Sequence, residues 1–132
     1  MTENDELACR VSDLTAQCCV ELFAAYGVAL SASSAQLIAS DDVLLCGVIG
    51  FVGPELRGTC LLVANHSPIA QSSPQKEHTR DWVGELTNQL VGRLKRKCLG
   101  FGIELALTTP VVLSGIHLRP MPRRDQIGRA HV

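Results

Sequence analysis

Residues 73–100 read SPQKEHTRDWVGELTNQLVGRLKRKCLG, and how this stretch folds decides the rest of the chain. The pattern predicts one long two-faced helix from Ser73 to Gly100. Ser73 suits the amino-terminal cap, and Pro74 suits the first helical position because its missing N–H has no partner there. Gly100 supplies the left-handed residue with which many helices end. Lys95, Arg96 and Lys97 fall in the last turns, where cations oppose the negative end of the helix dipole. At about 100° per residue, Trp82, Val83, Leu86, Leu90 and Leu94 share one broad side that must be buried. Asp81, Glu85, Asn88, Gly92 and Arg96 follow one another at steps of four, three, four and four and line the opposite side. A carboxylate and an amide therefore stand one turn apart on a face the core does not need. A glycine inside a helix costs about 1 kcal/mol relative to alanine, so Gly92 on that face reads as space cleared for an approaching partner.

Downstream, FGIELALT (Phe101–Thr108) and VVLSGIHL (Val111–Leu118) carry strand patterns and are separated by Thr109 and Pro110. Pro110 can open the second of them without spoiling a ladder. Upstream, the branched apolar runs Val43–Val52 and Thr59–Ala64 flank GPELRG, which predicts a hairpin. Asn65–Ser73 is a polar connection with at most one helical turn at Pro68–Gln71. Residues 5–26 repeat Leu7, Val11, Leu14, Cys18, Leu22 and Ala25 at steps of four and three, a first amphipathic helix that Gly27 ends. Val28–Ser40 reads as a short or irregular strand.

The order is helix, strands, helix, strands. It predicts an α+β fold of two pseudo-repeated helix-plus-strands units, with two long helices on a shared, mainly antiparallel sheet. From Arg119 onward, RPMPRRDQIGRAHV has two prolines and four arginines and nothing like the first-half hairpin, so the C-terminal strands are expected to be shortened or missing. Ile127–Val132 would supply a weak edge strand at most.

With 132 residues and 46% hydrophobic composition, a single domain spanning residues 1–132 is expected, large enough for a real core. A net charge of −1 gives no general attraction to nucleic acid or to an anionic membrane. No apolar run approaches the roughly 18 residues a membrane span needs, and the acidic start MTENDE lacks the basic head of a signal peptide. A cytoplasmic protein is the expectation. Cys9, Cys18, Cys19, Cys46, Cys60 and Cys98 sit in apolar periodic segments with no CxxC pair. They read as small buried hydrophobes in a reducing compartment, against a disulfide framework or a metal site. His66 and His78 lie near a loop, His117 and His131 lie far from any cysteine pair, and no metal site is expected.

Asp81, Glu85, Asn88 and Pro110 match the pattern Asp/Ser-x3-Glu-x2-Asn followed some twenty-two residues later by Pro, which resembles the CheC/CheX/FliY family of bacterial chemotaxis phosphatases. Here 21 residues intervene between Asn88 and Pro110. GFVGPELRGTCLLV looks like the first-half hairpin of that family, so the resemblance covers roughly residues 43–118. The first helix carries Glu21 but Ala24 three residues on, so only one Glu/Asn pair exists, a pattern similar to CheX.

The resemblance implies a CheX-like, CheC-type fold, dimers formed through the sheets, and an enzyme that hydrolyses the aspartyl phosphate of a CheY-like response regulator. That regulator supplies its own Mg²⁺ and lysine, so the phosphatase needs no cofactor of its own. Asn88 would orient the attacking water, as an amide does in some GTP hydrolases, and Glu85 would pair with the regulator's lysine. Asp81, Gly92 and Arg96 would support docking, and Pro110 would shape the strand start. Two other readings stay open: a non-catalytic domain that binds a response regulator or dimerises through its sheet, and a helix face that is merely solvated.

Overall fold

The computed structural model describes residues 3–31, 43–74 and 78–116. Leu7, Val11, Leu14, Cys18 and Leu22 turn one side of α1 (Glu3–Ala25) toward the interior, as their spacing requires. The stripe ends one step early: Ala25 is exposed and Phe23 takes the buried place. Gly27, at φ 81°, closes the helix as expected, and the Val28 N–H reaches back 2.9 Å to the Phe23 carbonyl.

The two branched runs form the expected antiparallel hairpin, β1 (Val43–Val52) and β2 (Arg57–Asn65), in register from Val52↔Arg57 to Leu44↔Asn65. The Gly53 N–H donates to the Leu56 carbonyl across the turn, at 2.7 Å. The connection that follows is more helical than its polarity suggests. Residues His66–Ser72 form α2, seven residues long.

The long helix begins later than its sequence pattern indicates. The residue before a proline is pushed out of the helical region, and Ser73 is extended (φ −72°, ψ 127°) with its N–H returned to the Ala70 carbonyl at 3.3 Å. Ser73 and Pro74 therefore close α2 instead of opening the next helix, α3 (Thr79–Gly100), which follows His78. At the other end Gly100 is still helical. The left-handed residue is Gly102, φ 77°, and the Ile103 N–H donates to the Cys98 carbonyl at 2.9 Å.

Beyond α3, burial alternates as expected, with Ile103 and Leu105 inside and Glu104 and Ala106 outside, yet only β3 (Ala106–Leu107) and β4 (Val111–Ile116) are laddered. Both pair antiparallel with β1, on the edge opposite β2, so β1 is the central strand. They lie in line but out of step. Leu107 faces Phe51 and Val111 faces Val48, so the chain from 107 to 111 has one residue more than β1 opposite it. This is a β-bulge, with Pro110 inside it. The Thr108 N–H donates to the Gly50 carbonyl at 2.9 Å, and the Gly50 N–H is taken by Thr108 Oγ1 at 2.8 Å. The expectations for residues 32–40, 117–118 and 119–132 fall outside the described residues.

The α+β class with an antiparallel sheet is what forms, and the expected pair of long helices on that sheet is seen only in part. α3 lies on β1 and α1 lies against α3, around a core that includes Leu22, Phe23, Ile49, Leu86, Leu90 and Leu94. Two glycines let α3 come close. A Cβ on Gly47 would collide with Thr87, and a Cβ on Gly84 would stand 3.1 Å from Val112 Cγ2. Arg80 ties the first turn of α3 to β4, its guanidinium donating to the Val112 carbonyl at 3.3 Å and to Ser114 Oγ at 3.4 Å. On the far side of the sheet, Val48 lies between Leu61 and Val111, and Cys46 between Val63 and Leu113. Leu61, Val111 and Leu113 are exposed there by 43%, 55% and 48%.

Five cysteines are buried as expected, and burial pushes their thiols up, Cys19 to about 12 and Cys60 to about 11. Cys9 is the exception. It is exposed, because it stands beside the Leu7–Val11 stripe of α1 and not on it.

Candidate functional site

Burial along α3 separates its two faces. Val83, Leu86, Thr87, Leu90, Val91, Leu94 and Cys98 are inside, with Trp82 half-buried beside them. Asp81, Glu85, Asn88 and Arg96 are exposed on the other side and Gly92 is half-buried among them, the arrangement their spacing predicts. Pro110 is half-buried in the bulge just before β4.

Asn88, Gly92 and Arg96 meet at a shallow depression of about 350 Å³ that Gln89, Arg93 and Leu107 complete. Glu85 stands one turn earlier and reaches it through Gln89. Asp81 and Pro110 do not line it. A Cβ on Gly92 would meet nothing within 4 Å, so no internal contact requires a glycine there.

The side chains differ in how firmly they are held. The Tyr26 hydroxyl donates to Gln89 Oε1 at 3.0 Å, and Gln89 Nε2 donates to Glu85 Oε1 at 3.0 Å. Tyr26 itself stands edge-on to Trp82, with ring centroids 4.8 Å apart and planes at 87°. The Trp82 indole N–H donates to Ser72 Oγ at 2.9 Å, and that hydroxyl donates to the Ile69 carbonyl at 2.9 Å. Asn88, in contrast, makes no side-chain hydrogen bond among the described residues, so both ends of its carboxamide face outward uncommitted. Glu21, the lone acidic candidate on the first helix, is engaged instead by Lys97, Nζ to Oε1 at 3.0 Å.

Gln89, Arg93 and Leu107 are the three lining residues that are not among the site candidates read from the sequence. The signal for Gln89 was available: a polar pair four residues apart on one helix face is within side-chain reach. The alternation of Ile103, Leu105 and Leu107 marks the inward face of that segment, but no local pattern brings Leu107 to α3 beside Asn88.

The depression presents two amides, a neighbouring carboxylate and two guanidinium groups, and no thiol, hydroxyl or imidazole lines it. Such a surface can orient water, accept a cation and hold an anion. Among the described residues no group of three His, Cys, Asp or Glu side chains is placed to hold a metal, and no helix is long and apolar enough to cross a membrane.

No curated protein matches the chain in sequence. Among solved structures, the chemotaxis protein CheX from Vibrio vulnificus superposes with a TM-score of 0.74 at 20% identity, covering 88% of this chain and 85% of that one. A CheC-like superfamily protein from Shewanella sp. PV-4 gives 0.66 at 23% identity over 88% of this chain and 79% of the other. The chemotaxis protein CheX from Desulfovibrio desulfuricans gives 0.65 at 16% identity over 81% and 79%. At these identities the likeness is one of fold. The sequence model of the family described as chemotaxis phosphatase CheX matches residues 45–123, which take in all of α3 and the bulge at Pro110. With more than half of its length matched in this way, the chain belongs to the CheX family of chemotaxis phosphatases.

Proposed function

We propose that this chain hydrolyses the aspartyl phosphate of a CheY-like response regulator in the cytoplasm, and that Asn88 and Glu85 carry the reaction. The observation that supports this most is their shared placement: both are exposed on α3 while Leu86 and Thr87 between them are buried, so the pair projects outward from a helix whose other face is anchored.

The Asn88 carboxamide has a donor and an acceptor free to hold a water in line with the phosphorus. That water's oxygen bonds to phosphorus as the bond to the aspartyl oxygen breaks, and the water's protons leave with the inorganic phosphate. Glu85 meets the ammonium of the regulator's lysine. The Mg²⁺ that neutralises the phosphoryl oxygens belongs to the regulator, and this chain adds no cofactor of its own. Arg96, with Arg93 beside it, faces the anionic surroundings of the phosphorylated pocket. Gly92 leaves room for that pocket's rim, and Asp81 supports docking one turn away from Glu85. Pro110 acts indirectly through the bulge.

The test follows phosphoryl decay on CheY-type regulators from the genome that encodes this chain. Wild-type protein accelerates the decay and folded Asn88→Ala does not. Equal rates for the two would exclude the water-positioning role.

The regulator is not the only partner in this reading. The row formed by Leu61, Val48 and Val111, with Leu113 beside it, gives the sheet an apolar outer face suited to a second copy of the chain. Light scattering should report a dimer, and Leu113→Glu should shift it toward monomer. A wild-type chain that is monomeric at high concentration would exclude the homodimer.

A further inference from the structure

The geometry points to Gln89 and Tyr26 as positioning residues that set the angle at which Glu85 is presented to the regulator, an inference that rests on the reading of Glu85 given above. An exposed glutamate on a helix ordinarily samples several rotamers, and fixing one costs entropy when a partner binds. Here one carboxylate oxygen is already held. Gln89 Nε2 donates to Glu85 Oε1, and the Tyr26 hydroxyl donates to Gln89 Oε1, both at 3.0 Å.

The direction of every proton in this relay is forced by chemistry. An ionised carboxylate only accepts, so the amide must turn its NH₂ to Glu85 and its oxygen to Tyr26, and the phenol must donate. The opposite amide orientation would set oxygen against oxygen. Tyr26 lies just past the end of α1 and is fixed from the other side by its edge-on contact with Trp82. An outward-facing carboxylate on α3 is thus braced by a residue from beyond a different helix. The other oxygen, Oε2, is left for the incoming ammonium. Gln89 also lines the depression beside Asn88, so the brace is part of the docking surface.

The experiment compares wild type, Glu85→Ala, Gln89→Met, Tyr26→Phe and the doubles Glu85→Ala/Gln89→Met and Glu85→Ala/Tyr26→Phe on a CheY-type receiver phosphorylated with acetyl phosphate in Mg²⁺. Gln89→Met keeps length and helix propensity, and Tyr26→Phe keeps the ring on Trp82, so melting temperatures should stay close to wild type. The expected result is a loss in kcat/KM of about tenfold for Gln89→Met and a few-fold for Tyr26→Phe, with neither change lowering activity further in the Glu85→Ala background.

If Glu85→Ala is impaired while Gln89→Met and Tyr26→Phe keep the wild-type rate, the brace is overturned and the assigned role of Glu85 stands. Equal losses with and without Glu85 would also overturn it, since the effect would not pass through that carboxylate. If Glu85→Ala itself has the wild-type rate, the assigned role of Glu85 fails first and the brace with it.

Discussion

The Thr87 side chain lies directly against the backbone of Gly47: a Cβ at position 47 would overlap Thr87 Oγ1, and that hydroxyl is already fixed by donating to the Val83 carbonyl at 2.7 Å. The contact sets how deep α3 sits on β1. Because Thr87 and Asn88 are consecutive, it also sets the height of Asn88 above the sheet.

Gly47→Ala should therefore cost about 1–3 kcal/mol of stability, the usual range for an overpacked interior. Phosphoryl hydrolysis by the folded fraction should fall as well, because α3 must lift to make room. Urea unfolding with an unchanged midpoint would show that the helix does not rest on that glycine.

Gly92 should behave in the opposite way. Its Cβ would enter open space, so Gly92→Ala should raise stability by up to about 1 kcal/mol through the gain in helix propensity. Gly92→Leu should leave the melting temperature near wild type and weaken binding of the phosphorylated regulator. Unchanged affinity in a titration of the Leu variant would mean that nothing docks over this turn.

The Lys97–Glu21 pair joins α1 to α3 at 3.0 Å with side chains 30% and 41% exposed. A pair this exposed is screened by water, so Lys97→Ala should cost less than about 1 kcal/mol. The difference from wild type should shrink further in 1 M salt, as measured by thermal melts. A loss that is large and salt-independent would point to packing by the lysine stem instead.

The buried thiols give the chain an alkaline weakness. Burial raises Cys19 from 9.0 to about 12 and Cys60 from 9.0 to about 11, and it raises Cys18, Cys46 and Cys98 as well. These groups stay protonated in the fold at a pH where the unfolded chain ionises them. The unfolded state then holds fewer protons, so stability falls as pH rises. The contribution is fully present below about pH 9 and is lost as pH rises from there to the folded values. Urea midpoints should be flat from pH 6 to 8 and decline from pH 9 to 11, and less steeply in a Cys19→Ala/Cys60→Ala variant. Identical slopes for the two proteins would remove the thiols from the explanation.

How much could be read from the sequence varied with how local the cause was. The outward face of α3 was legible because helical period alone separates Glu85 and Asn88 from Leu86 and Leu90. The hairpin was legible because its branched runs and its Gly-Pro turn agree. The start of α3 was misread at Ser73, where two adjacent helices compete for one Ser-Pro pair and the restriction on the residue before proline favours ending α2. The end was misread at Gly100 because Gly102, two residues on, offered the same conformational freedom. The brace on Glu85 and the Thr87 contact were not legible at all. Each joins residues far apart in the chain, Tyr26 to Gln89 and Gly47 to Thr87, and no short-range pattern encodes such meetings.

The offset between Leu107 and Val111 works like a shifted reading frame. Before it, the odd-numbered Leu105 and Leu107 turn toward the helices. After it, the even-numbered Val112 does so, while Val111 and Leu113 point away. Were the same residues laddered without the bulge, Val111 would fall opposite Gly47 and the last strand would turn over, carrying Val111 and Leu113 beneath α3 and removing Val112 and Ser114 from Arg80. Deleting Thr109 would remove the extra residue and leave Val111 opposite Val48, so Val112 and Ser114 would stay on the helix side.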